Sequence, residues 1–186
     1  MSYLLSRKSI VPQWLIAPGP DDEDLDYMLQ AAVRAPDHGW IRPWRFIVIQ
    51  GEAKEKMADL FEKALLARKP DATAEEIEKE RGKPLRAPLL VTVAVKKTDD
   101  KPDIPMNERV LSGGAAAQNI LLAAHEKGYG AMWVTGTPAY DPVIKAGLNL
   151  GEEDQIVGFI YIGTPDREGK ERNRPDPAEY TIHWNG

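Results

Sequence analysis

Residues 107–127 place the tightest constraint on what this chain can become. The segment reads as its longest helix, and through Gly113-Gly114-Ala115-Ala116-Ala117 it presents almost no side-chain volume. Small residues at mid-helix let another backbone approach closely, so that face must be packed against something. Two readings follow: a central core helix, or one half of a seam between two copies of the chain. They merge if the seam is itself the core.

The elements around this helix alternate without a clean βαβ repeat. A short helix over residues 2–6 ends at the cations Arg7-Lys8, which suit the negative end of a helix dipole. Pro18-Gly19-Pro20-Asp21-Asp22 is a turn and N-cap cluster. Leu25, Met28, Leu29, Ala32 and Val33 then recur at i, i+3, i+4, i+7 and i+8, a helical stripe. Trp44 to Gln50 reads as a largely buried strand. Residues 52–69 read as a helix with Met57, Leu60, Phe61, Ala64 and Leu65 on one face. A charged helical stretch spans 71–86, and Leu89 to Val95 is a continuous apolar strand. Ala131 to Gly136 and Ile156 to Ile162 complete the strands, with a helix near 141–147. The pattern implies an α+β layered fold, and 186 residues without repeats or a linker fit one domain over 1–186.

Composition excludes several function classes. A net charge of −5 leaves no basic footprint for nucleic acid. The absence of cysteine removes disulfides, thiolate metal sites and cysteine nucleophiles, and with three scattered histidines no metal is expected. No secretory leader and no membrane-length apolar span is visible, so a cytoplasmic location away from the membrane is the default expectation. Neither G-x-G-x-x-G before a helix nor G-x-x-x-x-G-K-[ST] nor H-E-x-x-H occurs, and Ser112-Gly113-Gly114 lacks a hydrolase elbow.

Two clusters are chemically distinctive. Arg34, His38, Arg42 and Arg45 fall within twelve residues of a turn pinned by Pro36 and Pro43 and loosened at Gly39. Each can donate to an anion, and a solvated basic surface is the plain alternative. Arg7-Lys8-Ser9 offers a bidentate fork, a point charge and a hydroxyl, the donors a phosphate needs. Its plain alternative is a basic helix end facing water.

Taken together, these segments resemble the nitroreductase family, in particular its short YdjA-like branch. Arg7-Lys8-Ser9 resembles the family's phosphate-binding triplet, Arg34-Ala35-Pro36-Asp37-His38 its second flavin segment, and Pro43-Trp44-Arg45-Phe46 its strand entry. Gly128 to Gly136 resembles the inner strand beside the isoalloxazine ring, and Ile156 to Pro165 the late strand ending in Gly-Thr-Pro. The five segments occur in family order and span nearly the whole chain.

The resemblance implies a nitroreductase-like fold: a central, mostly antiparallel sheet flanked by helices, in a two-fold homodimer with FMN at the subunit interface. It implies an oxidoreductase in which NADH or NADPH reduces FMN and a nitroaromatic, quinone or related small-molecule acceptor is then reduced in the same site, a ping-pong cycle. A visiting dinucleotide agrees with the lack of any dinucleotide-binding motif. The cofactor-binding residues it implies are Arg7, Lys8, Ser9, Arg34, His38, Arg42, Trp133, Val134 and Thr135. Arg34 and His38 would reach the flavin whose phosphate the other subunit holds. Arg42 would stabilise charge developing at the flavin pyrimidine, with a salt-bridged surface arginine as its alternative. Arg172 and Arg174 are further candidates for the phosphate. No catalytic side chain is expected, because flavin N5 carries the hydride. Trp40 stands where family loops are more polar and would narrow the acceptor site. The alternative function is a flavin-binding or flavin-handling protein with little reductase turnover.

Overall fold

The computed structural model describes residues 3–98 and 101–186. Its strands are β1 (Leu15–Ile16), β2 (Trp44–Gln50), β3 (Leu89–Val95), β4 (Gly130–Val134) and β5 (Gln155–Pro165). Its helices are α1 (Tyr3–Ser6), α2 (Asp22–Ala32), α3 (Ala53–Arg68), α4 (Ala74–Arg81), α5 (Met106–Glu126) and α6 (Pro142–Gly147). The expected helix over residues 2–6 appears as α1, residue 2 lying outside the described residues.

The apolar run Leu89–Val95 is the middle of the sheet. β3 pairs with β2 on one side and β5 on the other, and β4 and β1 both pair with β5; all four ladders are antiparallel. Successive side chains of a strand point to opposite faces, and here both faces are covered. Leu89, Val91, Val93 and Val95 enter the core formed with α2 and α5, while Leu90 and Ala94 enter the core formed with α3 and α6. That double burial is why β3 reads as continuous rather than alternating. On the second face, Phe61 and Phe159 meet edge to face, with ring centroids 5.8 Å apart.

The ladder between β3 and β5 slips by one residue. Val93 pairs with Gly158 and Ala94 with Ile156, leaving Val157 as the extra residue of a bulge. Helix α5 rests on that bulge. A Cβ at Gly113 would lie 2.7 Å from both Val95 Cγ1 and Val157 Cγ2, so the small-residue run is consumed within the chain. Gly113, Ala116 and Ala117 are buried, whereas Leu111 is 71% exposed. The core-helix reading therefore accounts for the buried side of α5.

The structure corrects several expected details. The strand expected over Ala131 to Gly136 spans Gly130–Val134, because Gly136 at φ 72° turns the chain into a 3-10 turn at Thr137–Tyr140. Strand β2 is only half-buried at Phe46, Ile47 and Val48, since it pairs with β3 alone and forms a sheet edge. Val33, the last residue of the expected α2 stripe, is 51% exposed. The two-residue strand β1 had no sequence signal.

The charged segment after α3 is tied down electrostatically. Arg68 on α3 reaches Glu80 of α4 at 3.3 Å and Asp141 at 2.8 Å. Asp141 also caps α6 by accepting from the Val143 amide at 2.9 Å.

Candidate functional site

The turn between α2 and β2 is held in shape by α5. The buried Trp44 indole Nε1–H donates to Ser112 Oγ at 2.7 Å, and that hydroxyl donates to the Pro36 carbonyl at 2.8 Å. One serine thus joins the two ends of the turn. Asn119 Nδ2 donates to the Ala31 carbonyl at 2.9 Å, fixing the end of α2 from which Arg34 projects. His38 Nδ1 contacts Glu108 Oε2 at 2.5 Å, which occupies the imidazole with a carboxylate of its own chain.

Glu108, Ser112 and Asn119 had no assigned role from sequence. Their signal was present: they recur at i, i+4 and i+11 and so share one face of the helix. Arg109 was also missed. It is 1% exposed and donates to the carbonyls of Lys96, Lys101 and Ile104 and to the Thr98 hydroxyl, at 3.2, 2.8, 3.3 and 2.9 Å. Four neutral acceptors, from Lys96, Thr98, Lys101 and Ile104, surround one guanidinium.

The turn carries backbone strain. Trp40 and Arg42 have φ of 61° and 46°, beside Gly39 at 65°. For residues with a Cβ this region costs on the order of 1–3 kcal/mol each, and such strain gathers at functional sites. The Arg42 amide donates to the Asp37 carboxylate at 2.8 Å, which holds the contorted segment closed. Beside it opens a cleft of about 890 Å³ whose lining includes Arg34, Asp37, Trp40, Arg42, Arg45 and Phe46. Trp40 is 80% exposed. Arg45 Nη1 donates to the Trp44 carbonyl at 2.6 Å and more weakly to that of Arg42. Arg34 and Arg42 have no carboxylate partner among the described residues.

A second surface forms along β4. The Ile10 amide donates to the Ala131 carbonyl at 3.1 Å, so the N-terminal segment carrying Arg7, Lys8 and Ser9 pairs with the outer edge of this strand. Backbone groups alternate along an antiparallel strand. With Ala131 facing outward, the N–H and C=O of Trp133 also face outward, towards an edge that no strand pairs. Thr135, just past the strand end, is exposed. The Trp133 ring is anchored from the other side, its Nε1–H donating to the Val157 carbonyl at 3.1 Å across Gly158.

Electrostatics distinguish the three residues of the triplet. Arg7 is partly buried, and its pKa is lowered first by burial and then by the like charge of Arg174. Lys8 pairs with Glu171 at 2.6 Å, whose hydrogen bond raises the lysine pKa and lowers that of the carboxyl. Ser9 is exposed.

The chain therefore lays the segment carrying Arg7–Ser9 beside the start of β4, leaves Trp133 and Thr135 open further along the same strand, and places Arg34 and Arg42 in a different cleft; His38 lies nearby on the same turn. The cleft includes none of residues 7–9 or 133–135. For FMN, the donor chemistry of the strand edge fits. Arg7 and Arg174 are two like charges that an anion would neutralise, and Trp133 offers a backbone donor and acceptor where the pyrimidine edge needs both.

An antiparallel sheet covered on both faces by helices, with a cationic segment beside its open edge, defines an α+β fold. The chain belongs to the nitroreductase family, whose sequence model, described as "Nitroreductase family", matches residues 4–164; it is thus an oxidoreductase-type enzyme. Among curated relatives, it is 36% identical over 185 residues to "Putative NAD(P)H nitroreductase YdjA" of Escherichia coli (strain K12), covering 99% of this chain and 98% of that one. Among solved structures, the "Nitroreductase-like Family Protein" of Bacillus cereus superposes with a TM-score of 0.79 at 24% identity, covering 99% and 95% of the two chains. The "FMN-dependent Nitroreductase" of Clostridium difficile R20291 gives 0.68 at 26% identity, covering 99% and 98%. No helix of the described residues is long and apolar enough to cross a membrane.

Proposed function

We propose that the chain is an FMN-dependent NAD(P)H oxidoreductase that reduces nitroaromatic, quinone or related acceptors by a ping-pong cycle. The observation that carries this reading is the β4 edge, where the segment that follows the partly buried Arg7 pairs at Ala131 and the outward-facing backbone of Trp133 lies two residues further on. The relationship to the FMN-dependent enzyme of Clostridium difficile and to the NAD(P)H nitroreductase relatives supports it. FMN, when bound, supplies the hydride chemistry, accepting from NAD(P)H and passing reducing equivalents to the acceptor.

The chain's own residues bind and orient. Arg7, Lys8 and Ser9 hold the phosphate, and Lys8 exchanges its partner Glu171 for that anion or shares it. Trp133 would meet the ring with its outward backbone groups and Thr135 with its hydroxyl, whereas Val134, expected beside them, turns its backbone towards β5 and its side chain into the second core. Arg34, His38 and Arg42 lie on a different surface of the same chain, which agrees with a homodimer in which each flavin is completed by the other copy. In this reading residues 1–186 act as one FMN-binding domain in the cytoplasm.

The experiment is direct. Purified protein should be yellow, and NAD(P)H should bleach it without oxygen. Arg7→Gln should weaken FMN binding, as should Arg34→Ala with His38→Ala. A colourless protein that takes up no added FMN ends the proposal. Stoichiometric bleaching without turnover of nitro, quinone or enone acceptors would instead identify a flavin-handling protein.

A further inference from the structure

The cleft beside the turn concentrates positive charge. The chain carries −5 overall, yet three guanidiniums, Arg34, Arg42 and Arg45, line one cleft with a single carboxylate, Asp37. Asp37 is already engaged by the Arg42 amide at 2.8 Å. Two arginines elsewhere are instead neutralised by carboxylates of the chain. Arg81 faces Asp59 and Glu62 at 2.6 Å each, and Arg68 faces Glu80 and Asp141. Three weakly committed cations in one cleft are what an anionic ligand requires.

The second element is aromatic. Trp40 sits at a positive φ and is 80% exposed, on the lining of that same cleft, with Phe46 nearby. An indole held out in water by a contorted backbone gains nothing from its own chain. Placed over a flat ring it stacks, and beside it a guanidinium both stacks and forks onto a carboxylate. A volume of about 890 Å³ suits a small aromatic with room for neighbouring groups.

We propose that Trp40 and Arg45 select the electron acceptor, and that the preferred acceptor class is a planar aromatic bearing a carboxylate. Trp40 takes the ring and Arg45 takes the anion. Arg34 and Arg42 remain with the flavin of the neighbouring copy. This inference rests on the flavin reading above, because the cleft becomes an acceptor site only where that flavin is reached.

The test uses the intact holoprotein and a matched pair of probes, 4-nitrobenzoate and 4-nitrobenzamide, which differ in charge and hardly in shape. With NAD(P)H as donor, kcat/KM should favour the carboxylate by about fivefold, the upper end expected of a partly exposed ion pair. The preference should shrink as salt is raised and approach unity in Arg45→Gln. Trp40→Leu should weaken both probes together and leave their ratio intact. A binding readout runs beside the kinetics: benzoate should quench tryptophan fluorescence at lower concentration than benzamide, and Trp40→Leu should remove that quenching. Equal kcat/KM for the two probes, or a preference untouched by Arg45→Gln, overturns the proposal. Failure to bind FMN would sink the functional reading. In that event the benzoate titration alone decides the cleft, and equal quenching by benzoate and benzamide overturns it.

Discussion

The indole of Trp133 occupies the space that a side chain at Gly158 would need, and its Nε1–H reaches the carbonyl of the neighbouring Val157 at 3.1 Å. The two residues sit on paired strands, and the bulge at Val157 is what turns that carbonyl toward the ring. The orientation of Trp133, and with it the open backbone edge of β4, depends on the absence of a Cβ one strand away.

Gly158→Ala should therefore destabilise the protein by about 1–3 kcal/mol, the usual cost of overpacking a filled site. The added methyl meets the indole and also the Val134 carbonyl, 2.9 Å from where it would sit. Urea denaturation measures the loss, and combining the change with Trp133→Phe should return part of it. A parent-like denaturation midpoint for Gly158→Ala would show that the strand pair relaxes freely.

Ser112→Ala should loosen the Arg34–Phe46 turn. It removes the acceptor of the buried Trp44 indole and the donor to Pro36 in one step. Leaving such a group buried and unpaired costs about 1–3 kcal/mol. Amide exchange across residues 33–46 should quicken more than in β3. Uniform slowing or no change in that turn would mean the serine is not its clasp.

Alkaline stability should turn on Tyr161. Burial pushes its phenol up from 10.0 to about 12, with Arg86 opposing the shift and Glu80 adding to it. A folded-state pKa above the unfolded value means that the contribution is complete below pH 10 and is lost as pH rises towards 12. Denaturation midpoints measured across that interval should fall for the parent and fall less for Tyr161→Phe. Identical slopes for the two proteins would place the alkaline transition elsewhere.

Elements with strong periodicity were legible in the sequence. The stripe of α2, the apolar run of β3 and the small-residue stretch of α5 each emerged near their expected bounds, because local pattern and tertiary burial agree there. The features that failed to show are those fixed by distant partners. Strand β1 exists only because Leu15 and Ile16 meet Pro165 and Thr164. The bulge at Val157 depends on the register against β3, and nothing in Ile156–Ile162 announces it. Arg109 is the sharpest case, since a charged residue in a helix reads as solvated until the carbonyls of Lys96, Lys101 and Ile104 close around it. For the candidate site, the residue types were legible. The hold of α5 on the turn, through Glu108 and Ser112, was not, because it depends on packing between distant segments.

The bond from the Ile10 amide to Ala131 has a consequence for how the molecule avoids its own kind. An unpaired strand edge is a template on which a stray strand can grow. The N-terminal segment caps the first outward position of β4, leaving only the stretch near Trp133 and Thr135 exposed, too short a row to recruit a strand. The same few residues that carry the cations thus act as a chain stop, limiting what can add to the sheet to something the size of a small molecule.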